Sequence, residues 1–207
     1  MMTTMTNIAT PLIVPRPDFA AIAAWVKPGA RVLDLGCGDG SLLRYLRDAC
    51  DVRGYGVEID DDNILACFKN GVNVIQGDLE SGLSGFESGS FDYVILSQTL
   101  QAMKHTEGIV KEMLRVGKEG IVSFPNFGYW QNRLQIVFGR MPVSEALPYQ
   151  WFDTPNIHLC TLGDFEAFCH QHGAHILERR VMSGDRQITF APNLLGTLAF
   201  YRFERLK

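Results

Sequence analysis

Acids and glycines at fixed spacing are the residues of this 207-residue chain that point most directly to chemistry. The run Asp34-Leu-Gly36-Cys37-Gly38-Asp-Gly40 reads as a strand end, a tight glycine turn and a helix start, where missing β-carbons let a ligand lie close to the backbone. Three alternating glycines directly after a buried strand favour a nucleotide-type ligand over a plain structural turn. The dinucleotide fingerprint G-x-G-x-x-G needs glycine at position 41, where Ser41 stands, so a nicotinamide dinucleotide fits poorly. Charge agrees: Asp34 would sit badly beside a pyrophosphate, whereas it can accept hydrogen bonds from the ammonium of an amino-acid cofactor.

Two further acids follow at strand ends. Glu58 closes Gly54-Tyr-Gly-Val-Glu58, where a carboxylate can accept both hydroxyls of a ribose through its two oxygens. Asp78, in Gln76-Gly-Asp78-Leu79, is placed to accept from an adenine amino group, with Ile59 and Leu79 as apolar neighbours for the ring; its plainer reading is a turn residue after Gly77. Other reactive side chains read as structural. His105 before a helix is expected to be a solvated cap, Cys37 a small packed hydrophobe, and His170, His172 and His175 a helix-end cluster that complements the dipole, with no metal site.

The elements that position these residues alternate in a βαβ rhythm, which predicts a parallel sheet. Helices are expected over residues 18–27, 41–49, 61–70, 106–115 and 161–172, and strands over 31–35, 54–58, 72–76, 91–96, 120–124, 175–182 and 197–204. The last two strands, joined through the turn Ser183-Gly-Asp, predict an antiparallel hairpin added to the parallel strands. The fold class is therefore α/β, Rossmann-like, with a mostly parallel seven-stranded sheet and helices on both faces. Residues 1–14 read as a loose arm and 15–207 as one domain. Residues 125–160 are too long and too rich in Trp, Tyr, Phe and Arg for an ordinary linker, and are expected to cover the site or dock a partner.

Composition narrows the function classes. Nineteen Lys+Arg against 23 Asp+Glu give a formal charge of −4, which disfavours nucleic acid as a general partner. Five cysteines without a C-x-x-C pair suit free thiols and a cytoplasmic protein. No secretory leader is evident and no apolar run approaches the ~20 residues of a membrane span.

The successive motifs DLGCGDG, GVEID, QGDL and FDYVILSQTLQAM resemble those of class I S-adenosylmethionine-dependent methyltransferases. The resemblance implies S-adenosylmethionine or S-adenosylhomocysteine as cofactor. Asp34, Gly36, Cys37, Gly38 and Gly40 would wrap its amino-acid end, Glu58 the ribose, and Ile59, Asp78 and Leu79 the adenine, with Ser97 opening the loop beneath the methionine part. After the fourth strand the chain lacks the Asn/Asp-Pro-Pro-Tyr/Phe motif of amide and amine methyltransferases, so no catalytic residue or methyl acceptor is assigned. With Ser97-Gln-Thr-Leu-Gln and the aromatic stretches from 123 to 161, the chain resembles more closely the MetW family of bacterial methionine-biosynthesis proteins. That resemblance implies a partner and activator of a homoserine O-acyltransferase; an independent small-molecule methyltransferase is the alternative.

Overall fold

The computed structural model describes residues 16–206, so the expected arm 1–14 lies outside the described residues. Among them the chain forms α1 (Pro17–Ala23), β1 (Arg31–Leu35), α2 (Ser41–Cys50), β2 (Arg53–Glu58), α3 (Asp61–Lys69), β3 (Asn73–Gln76), β4 (Phe91–Ser97), α4 (Thr106–Val116) and β5 (Gly117–Pro125). There follow α5 (Trp130–Val137), α6 (Leu162–Gln171), β6 (Ala174–Ser183), β7 (Arg186–Gln187), α7 (Pro192–Leu195) and β8 (Leu198–Arg205). Local chemistry sets several boundaries. The Asp60 side chain accepts from Asn63 N at 2.9 Å to start α3, with Asp61 and Asp62 in the positive first turn. Thr161 and Asp164 form a reciprocal capping box at the start of α6.

The strands make one sheet in the order β3-β2-β1-β4-β5-β8-β6-β7. The first five pair in parallel, and β8 runs antiparallel between β5 and β6. The α/β class, the mostly parallel sheet and the antiparallel C-terminal strands are as the sequence predicts, with an eighth strand added. The turn at Ser183 returns the chain into the two-residue β7, and α7 intervenes before β8. Neither short element carries a periodic signal long enough to read. The helix α5 also falls where the sequence reads only an aromatic segment.

Strand alternation divides the core. Leu33 and Leu35 of β1, Val94 and Leu96 of β4 and Val122 and Phe124 of β5 face α4 and α6. Val32, Tyr93, Ile95 and Ile121 face α1 and α2 on the opposite side. The order reverses between β1 and β4, so their carboxyl ends diverge into the crevice where sheets of this kind bind ligands.

One close approach fixes the join between the parallel and antiparallel parts. Gly120 of β5 lies opposite Phe203 of β8, and a β-carbon at Gly120 would stand 2.6 Å from the Phe203 ring. Phe203 is fully buried and has nowhere to move. Gly120→Ala is expected to cost about 1–3 kcal/mol by overpacking. In a Phe203→Leu background the same change should cost much less, as read by urea unfolding of the four proteins in a double-mutant cycle.

Candidate functional site

The candidate site is built on the carboxyl ends of four adjacent strands, β3, β2, β1 and β4. Gly36, Gly38 and Gly40 all have positive φ, at 65°, 55° and 76°, a region that costs side-chain-bearing residues energy. Their roles differ. A β-carbon at Gly36 would stand 2.9 Å from the Thr99 methyl, and one at Gly40 3.0 Å from Cys67 Sγ, so both glycines serve close internal packing. A β-carbon at Gly38 would meet nothing within 4 Å: this turn faces open space that a ligand can enter. The amides of Gly36 and Cys37 both donate to Val57 O, at 2.8 and 3.2 Å, fastening the loop to β2.

Two carboxyl groups flank the loop. Glu58 is buried and helps to set its shape: Oε2 accepts from Gly38 N at 2.8 Å, and Oε1 from Ile59 N and Asp60 N at 2.8 and 3.0 Å. Asp34 is 2% exposed, and no donor among the described residues hydrogen-bonds its carboxyl. Burial first, and the negative charge of Glu58 second, push the Asp34 pKa up to about 8. A buried acid without a donor is costly to the fold unless a cation arrives, which makes Asp34 the most informative side chain of the site.

The remaining predicted residues gather around this pair. Ile59 is 60% exposed at the end of β2, next to the β3 end through the Glu58–Gln76 register. Asp78 Oδ1 accepts from Glu80 N at 2.9 Å, so Asp78 does serve as the turn residue, and the residue is exposed. Leu79 packs half-buried against the core. Ser97 Oγ lies 3.0 Å from Ser123 Oγ at the β4–β5 junction. Cys37 Sγ rests 3.8 Å from Cys67 Sγ, and burial raises its pKa, so it stays a packed thiol. His105 precedes α4 and pairs with Glu80 at 2.8 Å, and among the described residues no three His, Cys, Asp or Glu side chains group to hold a metal.

Other residues of the site are not evident from sequence. Gln98 takes φ 52°, held by its amide donating to Ser123 O at 2.9 Å, and its side chain reaches Asp18 Oδ2 at 3.2 Å. Asp18, in the first turn of α1, thereby ties that helix to the loop after β4. The left-handed Gln98 has no local signal, and Asp18 reads as an ordinary first-turn acid.

The pKa of Asp34 sets a pH dependence. Its folded value lies above the ordinary carboxylate range, so the protonated acid favours the fold and stability is lost as pH rises from about 4 to about 8. Asp34→Asn, which carries no ionisable group, is expected to flatten that decline. Melting temperatures across this window, wild type against variant without added ligand, check it; parallel profiles are the contrary result.

Known proteins resemble this chain in sequence and in fold. The family model described as "Methionine biosynthesis protein MetW" matches residues 16–203. A bifunctional methionine biosynthesis protein MetXA/MetW from Rhodopirellula baltica is 41% identical over 157 residues, which are 71% of this chain and 25% of that protein. The chain thus spans a quarter of that relative's length. A methyltransferase structure from Mesorhizobium loti, described as S-adenosylmethionine dependent, superposes with a TM-score of 0.68 at 17% identity, covering 91% of this chain and 98% of that one. A Thermotoga maritima structure described as a possible histamine N-methyltransferase gives 0.64 at 18%, covering 91% and 87%. At such identities the two structures show the methyltransferase fold alone, whereas the family match covers nearly all of the described residues: the chain belongs to the MetW family of methionine-biosynthesis proteins.

Proposed function

We propose that this protein binds S-adenosylmethionine or S-adenosylhomocysteine on its glycine loop and acts as partner and activator of a homoserine O-acyltransferase. The partnership rests on one observation above others: a relative carries MetXA and MetW in a single chain, the arrangement expected of two proteins that work together. The acyltransferase itself is what the family resemblance implies.

The cofactor half of the proposal fits the residues. Asp34 would accept from the ammonium of the amino-acid end, the role its unpartnered carboxyl suits. The positive sulfonium also favours a cleft flanked by two acids, where a pyrophosphate would be repelled. Glu58 has about four acceptor positions and spends three on backbone amides, leaving room for one ribose hydroxyl, or for both if one amide bond is exchanged. The second carboxylate oxygen of Asp78, which has no hydrogen-bond partner among the described residues, would take the adenine amino group, with Ile59 and Leu79 beside the ring. The cofactor when bound would supply a methyl group activated for transfer, but the loop from Ser97 to Met103 offers no assigned acceptor or base.

The partner half draws on the aromatic segment. Val137, Phe138, Trp151 and Phe152 are each 70–78% exposed, a concentration of large apolar side chains that stable soluble surfaces avoid unless something covers them. Their scaffold is rigid beneath. Buried Asn126 bonds Asn193 O and Gly196 O at 3.1 and 2.9 Å, and Gln135 pins Val143 through both its amide and its carbonyl. Arg133 is spent on Gly128 O. Trp151 and Phe152 are therefore the side chains that probe an interface here.

The cofactor derives from the end product of the pathway, so its binding here would report product supply to the acyltransferase. Linkage then requires its affinity to differ between free and partner-bound protein, with a typical coupling of ~1–3 kcal/mol. No helix among the described residues is long and apolar enough to cross a membrane. Free cysteines support the cytoplasmic placement that belongs to the same proposal.

Acyltransferase activity of the candidate partner should depend strongly on this protein and change again with saturating S-adenosylmethionine. Independence from this protein would contradict the activator reading. The pair Trp151→Ala and Phe152→Ala should weaken partner binding by about 2 kcal/mol or more in a pull-down titration while leaving cofactor affinity unchanged. The reverse ranking would make the segment a cofactor lid.

A further inference from the structure

The sheet ends in two edges that are finished differently. On one side β7 is two residues long and opens on Arg186, a short charged strand of the kind that discourages further pairing. On the other side β3 runs Asn73-Val-Ile-Gln76 with no proline, no charge and no break in its register with β2. Gly77 N donates to Glu58 O at 3.0 Å. By the alternation of a parallel ladder, Asn73, Ile75 and Gly77 then turn their backbone groups towards β2, while Val74 and Gln76 turn theirs outward. Among the described residues no hydrogen bond from outside the β2–β3 ladder reaches the main chain of Val74 or Gln76.

Apolar side chains flank this open edge on both faces. Gln76 Nε2 donates to Asp61 Oδ1 at 2.8 Å, which turns the stripe Asp61, Leu65 and Phe68 of α3 towards β3. Leu65 and Phe68 are nevertheless more than half exposed. On the opposite face the β3–β4 connection, residues 77–90, contains no α-helix, and Tyr55 and Ile75 stay exposed although Val57, the register partner of Ile75, is buried. The charges beside the patch have an order. Asp61 and Asp62 stand in the first turn of α3 and Lys69 in its last, and none of the three makes an ion pair among the described residues.

We propose that the β3 edge pairs with the same edge of a second copy of this chain, antiparallel about a two-fold axis through Ile75, so that one sheet runs through both protomers. Val74 then exchanges backbone hydrogen bonds with Gln76 of the partner subunit, and Ile75 lies opposite its own copy. The same axis sets the two α3 helices antiparallel, with Leu65 and Phe68 between them. The acids that begin each helix then face the lysine that ends the other. This self-complementarity selects the occupant: an unrelated strand would satisfy the backbone without matching the order of charge along α3.

Sedimentation velocity of the full chain across the micromolar range, with disulfide trapping by glutathione disulfide, tests the proposal. The chain should pass from monomer to dimer as concentration rises. Phe68→Glu, at an exposed position, should weaken the dimer about tenfold or more while the melting curve stays unchanged. Lys69→Glu should weaken it severalfold, and Asp62→Lys added to that variant should restore it. Ile75→Cys, set opposite itself at a Cα separation of about 4.5 Å, should cross-link far faster than Asp185→Cys at the other sheet edge. A monomer throughout the range would overturn the proposal. So would a dimer indifferent to Phe68→Glu in which Ile75→Cys is trapped no faster than Asp185→Cys.

Discussion

The carboxyl of Asp34 sits at the end of a strand flanked by two others, buried, without a donor, and close enough to Glu58 to feel its charge. Much of the surrounding design can be understood as the means of holding it there. β1 is fixed between β2 and β4 by parallel pairing, so its last residues emerge at the sheet's reversal point and nowhere else. The chain must then turn at once, and three left-handed glycines accomplish that turn within five residues. The strain is local, and packing answers it locally: Cys37 fills the space over Gly56, where a β-carbon would stand 2.3 Å from its sulfur, while Gly40 yields to Cys67 and Val72.

This arrangement keeps the electrostatics of the loop one-sided. Glu58 gives its oxygens to the amides of Gly38, Ile59 and Asp60 and so stabilises the loop, but its charge raises the cost of ionising Asp34. A fold serving only itself would gain by replacing Asp34 with an apolar residue. A fold that must receive a cationic amino-acid end gains from keeping it, because the incoming ammonium supplies the missing partner in a place where water does not screen the interaction.

How much of this was legible in the sequence follows from which forces are local. The β1 run Arg-Val-Leu-Asp-Leu, the glycine spacing and the acids at 58 and 78 are contiguous signals, and each sits at the strand end where the spacing puts it. The helices expected over 61–70 and 161–172 start where the structure caps them, at Asp60 and Thr161. What escapes is set by tertiary contact. The order that places β8 between β5 and β6 depends on Gly120 meeting Phe203, residues 83 positions apart in a chain with no local mark of the encounter. The short α5 carries Trp, Ile and Val, residues of middling helix propensity, and is stabilised by the buried amides of Asn126 and Asn132 at its start. Asp78 shows the limit from the other side: an acid that caps the turn at Glu80 N looks the same in sequence as one that meets a ligand, because a turn cap needs only one of its two oxygens.

The proposed cofactor site depends on Asp34 receiving a cation. Calorimetric titration of S-adenosylmethionine near pH 7, repeated in buffers of different ionisation enthalpy, measures this directly. If the ammonium partners Asp34, binding draws its pKa down from about 8, a proton is released to the buffer, and Asp34→Asn removes both that release and most of the affinity. Tight binding with no proton exchange, unchanged in Asp34→Asn, would contradict the central claim.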